Sequence, residues 1–151
     1  MQFLTKKFGK SGLHYFNIVR GIHLSEVQPH RVRKSLSAEN TFEKDLITLA
    51  EMEENLRPIF EEVIRRIEKS GIKGRTVTLK LKYSDFNLQT RSKTLEQYPE
   101  AEMIWQVGLE LLRQEEIPKP IRLLGLGISN LNITEEQAHF GEQLRIPFSL
   151  E

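Results

Sequence analysis

From Gly74 to Phe86 the chain reads GRTVTLKLKYSDF, with Val77, Leu79, Leu81 and Tyr83 on one parity and Thr76, Thr78, Lys80 and Lys82 on the other. Such alternation marks a strand with one face in a core and one in water. LQTRSKTL, from Leu88 to Leu95, follows at once and completes a hairpin in which Asp85 serves as a turn residue. Here Arg91 and Lys93 share a side with Leu95, so parity leaves that strand's orientation open. Two more segments read as strands. RKSLSAENTF, from Arg33, sets Leu36, Ala38 and Phe42 against Ser35, Ser37 and Thr41, with Asn40 breaking the pattern. IRLLGLGISNL, from Ile121 to Leu131, turns Leu124, Leu126 and Ile128 one way and Leu123, Gly125, Gly127 and Ser129 the other. Small residues in a row weaken a strand, and close approach of another backbone or a ligand is a common reason for them.

Helical spacing separates these strands. Leu56, Ile59, Phe60, Val63, Ile64 and Ile67 recur at three and four residues, with Thr41 and Asp45 as alternative N-caps and Gly71 as the stop. Pro58 fits best in the first turn of a helix capped by Asn55, which makes the stretch before it a separate short helix. Pro99, Glu100 and Glu102 open a second helix with Ile104, Val107, Leu111 and Leu112 inward and Trp105 at the core rim, ended by Pro118 and Pro120. Upstream, Phe8, Leu13, Phe16, Val19 and Ile22 suggest a short helix after Gly12, and HLSEVQPHRVRK reads as an extended linker.

The predicted fold is α+β: a β-α-β-β-α-β, mostly antiparallel four-stranded sheet, ferredoxin-like in its element order, with two helices on one face and a short helix before it. The expected parts are residues 1–32 as an upstream helix and linker, 33–132 as the sheet domain and 133–151 as a tail. The uncovered face then carries Ser35, Ser37, Thr78, Lys80, Lys82, Gly125, Gly127 and Ser129.

Charge sharpens this picture. The 151 residues carry a net charge of only +1, whereas residues 75–94 set Arg75, Lys80, Lys82, Arg91 and Lys93 against Asp85 alone, a local +4. A basic, hydroxylated sheet face suits the phosphate backbone of nucleic acid; a solvated edge whose lysines block aggregation is the alternative. A composition 38% apolar and 28% charged is that of a soluble globular domain, and no apolar run approaches the roughly 18 residues that a membrane helix needs. The absence of cysteine excludes disulfides and thiolate zinc sites and fits an intracellular protein. His14, His23, His30 and His139 have no ligand spacing, so no metal is expected in this chain.

RKSLSAENTF, GRTVTLKLKYSDF, TRSKTL and IRLLGLGISNL, in this order and spacing, resemble the C-terminal little-finger domain of Y-family translesion DNA polymerases, of the bacterial polymerase IV branch in particular. FGKSGLHYFNIVRGI similarly resembles the last helix of their thumb domain. The resemblance implies a sheet lying against duplex primer-template DNA beside the active site of a larger enzyme. It also implies that this chain is a non-catalytic fragment, since the palm, with its acidic residues and Mg2+, has no counterpart here. Position by position, the family's DNA-contacting segments fall on Lys34, Ser35 and Ser37, on Thr90, Arg91, Ser92 and Lys93, and on Arg122, Gly125 and Gly127. Lys80 and Lys82 are further candidates from the strand pattern. Ser37 stands where many relatives have glycine, which argues against a direct amide-to-phosphate contact there.

The chain ends EQLRIPFSLE, in which Gln143, Leu144, Ile146 and Phe148 resemble the sliding-clamp-binding peptide of bacterial polymerases. Three apolar anchors and a glutamine at the pocket rim are the physical basis of such docking, and a tail folded onto its own domain is the alternative. Leu150 and Glu151 read as a cloning remnant. The implied partners are duplex DNA and the clamp, in the cytoplasm, with no membrane. The competing function is an RNA-recognition module, which shares the strand-helix order but needs stacking aromatics on the open strands.

Overall fold

The computed structural model describes residues 2–23, 32–114 and 116–133. The chain folds as two compact units, Met1–Arg31 and Val32–Glu151. In the first, two helices appear where one was expected: α1 (Gln2–Phe8) and α2 (Ser11–Ile18). Gly9 ends α1 at φ 57°, and its N–H donates to Thr5 O at 2.9 Å. Gly12 lets the two backbones meet, since a Cβ there would stand 2.4 Å from the Leu4 carbonyl. The short α1 buries none of its residues, so no apolar stripe announced it.

In the second unit the order is β1 (Ser35–Leu46), α3 (Leu49–Ser70), β2 (Gly74–Tyr83), β3 (Leu88–Thr94), α4 (Ala101–Arg113) and β4 (Ile121–Leu131). The sheet runs β1-β4-β2-β3, and each neighbouring pair is antiparallel. The expected α+β architecture is present, with β1 and β2 running the same way but separated by β4. Helix α3 packs on β1 and β4, and α4 on β2 and β3. The core lies between layers, where Leu36, Leu56, Val63, Leu79, Leu112, Leu124 and Leu126 are buried.

Several local expectations change. β1 continues through Thr41 and Asp45, so neither caps a helix. The cap is Thr48: its hydroxyl accepts from the Glu51 N–H at 3.2 Å, while the Glu51 carboxylate accepts from the Thr48 and Ile47 N–H groups at 2.8 and 2.9 Å. This reciprocal capping satisfies donors that a helix start leaves orphaned. Pro58 lies inside one continuous α3, with no second helix starting at Asn55. An interior proline costs about 3 kcal/mol, and burial of Met52, Leu56, Ile59 and Val63 along one stripe outweighs it. Gly71 closes α3 in the left-handed conformation at φ 66°, as its position predicts. Trp105 is buried, with the Phe60 ring 5.3 Å away and the Arg57 guanidinium 4.3 Å over its own ring. Most of the expected linker, and the tail from 134 onward, lie outside the described residues.

Candidate nucleic-acid interface

Register turns four strands into four cross-sheet rows on the face away from the helices. In order β1, β4, β2, β3 they are Ser35, Ser129, Thr76, Thr94; Ser37, Gly127, Thr78, Ser92; Glu39, Gly125, Lys80, Thr90; and Thr41, Leu123, Lys82, Leu88. Hydroxyls dominate the first two rows, charge enters in the third, and apolar side chains close the fourth. The opposite parity, Val77, Leu79 and Leu81 with Leu124, Leu126 and Ile128, is buried.

The glycines shape this face. A Cβ on Gly127 would stand 2.7 Å from Ser37 Cβ, and one on Gly125 would stand 3.1 Å from Glu39 Cβ and 3.3 Å from Lys80 Cβ. Because those positions carry only hydrogen, β4 forms the floor of a groove of about 260 Å³ walled by Ser35, Ser37, Thr78, Lys80 and Thr90. Hydroxyl pairs stiffen its β2–β3 wall, with Thr76 and Thr94 at 2.9 Å and Thr78 and Ser92 at 2.9 Å. Asn130, in the left-handed conformation at φ 52°, donates its amide to Thr76 Oγ1 at 2.8 Å.

The third strand, left open by parity, is now oriented. Thr90 lines the groove and Ser92 stands on the same open face behind Thr78, whereas Arg91 and Lys93 point to the helix side. Arg91 is buried and donates from Nη1 to Leu111 O and Leu112 O, at 2.9 and 3.3 Å. It serves the last carbonyls of α4, which have no intrahelical donors and carry the negative end of the helix dipole. Lys93 pairs with Glu110 of α4 at 2.6 Å. Arg91 and Lys93, both expected on DNA from the resemblance, thus lie behind the sheet and not on its open face, because a two-residue strand period sends them to the helix side. Arg75 has the same parity and lies 5.9 Å from the Tyr98 ring. The local +4 is thus divided between two faces.

Lys80 is on the open face but is paired. Its Nζ lies 2.6 Å from Glu39 Oε2, the two strands spanned because Gly125 between them has no side chain. Lys82 stands 5.0 Å from the Phe86 ring. Arg122 occupies a slip in register: Leu123 pairs with Lys82 but Ile121 with Tyr83, leaving Arg122 as the extra residue of a bulge. Its guanidinium lies 5.1 Å over Phe86 and 3.8 Å from Asp45. Phe86, at φ 67° in the turn, is thus flanked by two cations at the rim. Lys34 is exposed just before β1. Sequence reasoning missed Glu39 and Phe86, because their roles depend on strand order and a bulge that no local pattern encodes.

Among the described residues no group of three or more His, Asp or Glu side chains could hold a metal. Asp85 instead pairs with Lys119 at 2.6 Å and accepts the Asn87 N–H at 3.1 Å. The Lys119 ammonium above all, and then the Asn87 N–H, hold its carboxyl below the usual aspartate range. Gln143, Leu144, Ile146 and Phe148 lie outside the described residues.

An all-antiparallel sheet with both helices behind it leaves a glycine-floored, hydroxylated face open in front. Residues 33–145 match the model of the impB/mucB/samB family C-terminal domain, and the chain belongs to that family, as the little-finger domain of a Y-family DNA polymerase. It is 43% identical over 130 residues to DNA polymerase IV 1 of Mesorhizobium japonicum, covering 85% of this chain and 30% of that protein. It is 38% identical over 152 residues to DNA polymerase IV 2 of Agrobacterium fabrum, covering 99% of this chain and 42% of the relative. The chain therefore spans less than half the length of these relatives. A Y-family DNA polymerase chimera shares the fold at a TM-score of 0.63 and 17% identity, covering 88% of this chain and 39% of that one.

Proposed function

We propose that this chain is the duplex-gripping, non-catalytic part of a translesion DNA polymerase. The carrying observation is the uncovered face, where Ser35, Ser37, Thr78, Thr90 and Ser92 surround a floor of Gly125 and Gly127. Hydroxyls and backbone amides can hold phosphate oxygens without reading bases, while Lys34, Lys80, Lys82 and Arg122 add counterion release. Such contacts suit an enzyme that must accept any sequence. Arg91 and Lys93 have no part in this reading. Polymerisation, with Mg2+ in an acidic palm, is proposed for the whole protein, acting in the cytoplasm. No step of that chemistry is assigned to residues of this chain.

The finer reading adds docking to a sliding clamp through Gln143, Leu144, Ile146 and Phe148, supported by the sequence of the tail. Tethering there raises the effective concentration of the enzyme at a primer end.

Labelled primer-template duplex and single-stranded RNA, titrated side by side at low and physiological salt, test the main reading. Duplex affinity should fall steeply with salt and exceed that for RNA. Affinity independent of salt, or a preference for RNA, overturns it. For the tail, Gln143→Ala with Phe148→Ala should abolish association with a bacterial clamp; undiminished association removes that part.

A further inference from the structure

We propose that the phosphate track does not stop at the β1 edge of the sheet but continues onto a basic ridge formed by Arg33, Arg65 and Lys69, braced by Arg66. This rests on the reading that the open face takes nucleic acid.

The ridge adjoins that face directly. Ser35 and Ser37 wall the glycine-floored groove, and the same two residues border a second concavity of about 630 Å³. Arg33, Leu36, Arg65, Arg66, Lys69 and Ser70 complete its lining. β1 is an edge strand, so nothing else in the sheet separates the two grooves. A phosphodiester chain leaving the open face past Ser35 and Ser37 meets the side of α3 next.

The cations there are organised. Arg66 Nη1 donates to Ser37 O at 2.5 Å, fixing the last turns of α3 to the strand that the phosphates would cross. Glu62 accepts from Arg65 at 2.7 Å and from Arg66 at 2.6 Å, which orients both guanidinium groups. Four cations face one carboxylate, so the groove keeps a net charge of about +3. Arg65 and Lys69 stand one helical turn apart and are exposed.

Charge along β1 gives the track a direction. Arg33 and Lys34 lie at the start of the strand, whereas Glu39, Glu43 and Asp45, with Lys44 as the one cation among them, lie further along. A polyanion crossing the edge is therefore drawn more strongly to the Ser35 end of β1 than to its far end. Cations placed only to offset the α3 dipole would cluster in its last turn, where Lys69 alone is found.

The test measures duplex binding, on the whole chain, as a function of salt, with Arg65→Gln/Lys69→Gln, Lys69→Gln alone and Lys80→Gln/Lys82→Gln. Arg66, which touches β1, is left intact, and thermal melting verifies that each variant folds. Removing one cation from a phosphate makes the log–log salt slope shallower by about 0.9. The ridge double variant should therefore lose about 1.8 from the slope and at least roughly tenfold in affinity near 0.1 M salt, with Lys69→Gln about half as affected in slope. If both ridge variants keep the wild-type slope while Lys80→Gln/Lys82→Gln weakens binding, the ridge is overturned and the open-face reading stands. If wild-type binding itself is insensitive to salt, the open-face reading falls and takes the ridge with it.

Discussion

Lys80 and Glu39 meet at 2.6 Å over Gly125, so the lysine nearest the middle of the open face is already neutralised by a carboxylate two strands away. Both side chains are partly exposed, and an ion pair in that setting is worth little to stability, about 0–1 kcal/mol. Its effect falls on binding: Lys80 must leave Glu39 to reach a phosphate, and Glu39 repels that phosphate meanwhile. Glu39→Gln should therefore tighten duplex binding at low salt, several-fold, and steepen the salt slope by up to about 0.9, the value of a single neutralised phosphate, as Lys80 is released from its competitor. Anisotropy titrations at several salt concentrations read both quantities, and equal or weaker affinity in the variant contradicts the arrangement.

Gly127 and Gly125 should respond unequally to the same change. At Gly127 an added methyl would lie 2.7 Å from Ser37 Cβ and 3.1 Å from Leu36 O, so the edge strand has to move. At Gly125 the nearest atoms, at 3.1 and 3.3 Å, belong to Glu39 and Lys80, whose side chains can swing outward. Gly127→Ala should cost about 1–3 kcal/mol of stability, with Gly125→Ala less affected. Both raise the groove floor, and both should weaken duplex binding. Urea unfolding and DNA titration on the two variants separate the effects; equal destabilisation runs against this account.

Arg91 should behave as a structural cation. It is 7% exposed and its guanidinium serves the terminal carbonyls of α4. Arg91→Ala leaves those carbonyls unpaired in the core, at a cost of about 2–3 kcal/mol, since hydrogen bonds to charged groups are the stronger ones. Below its unfolding temperature the variant should still bind duplex DNA with the wild-type salt slope. A normal melting temperature together with a shallower slope points instead to a phosphate contact.

This division between faces marks what the sequence could and could not disclose. β2 was legible because its alternation is unbroken from Val77 to Tyr83 and its apolar parity is the buried one; in β4 Leu124, Leu126 and Ile128 are buried as their parity predicts, but Leu123, Gly125 and Gly127 of the other parity are buried too. β3 was not legible, because a buried arginine occupies a core-facing position that hydrophobicity alone assigns to solvent. Its reason lies in α4, 20 residues onward, where Leu111 offers a carbonyl. Likewise the helical stripe of α3 was plain, but its start was misplaced. Thr48 and Glu51 form the S/T-x-x-E pattern of a capping box, which the proline at position 58 overshadowed. The Glu39–Lys80 pair and the bulge at Arg122 follow from the order β1-β4-β2-β3, a global property.

Glu62 links stability, acidity and the groove beside β1. Hydrogen bonds from Arg65 first, and then from Arg66, lower its carboxyl from the ordinary 4.5 to about 2. A carboxylate depressed on folding contributes stability that is fully present above its unfolded pKa and disappears as pH falls through the folded one. Its contribution should thus be constant above about pH 5 and vanish between roughly 4.5 and 2. Glu62→Gln keeps the shape but not the charge, so wild type and variant should differ by a fixed amount near neutrality and converge across that acid window. Because every other carboxylate titrates in both proteins, only the difference between their unfolding midpoints is read. A gap unchanged down to pH 2 would show that Glu62 is not bound to these arginines in solution. The same protonation releases Arg66 from its carboxylate partner, leaving the Ser37 carbonyl as its remaining hold on the sheet edge.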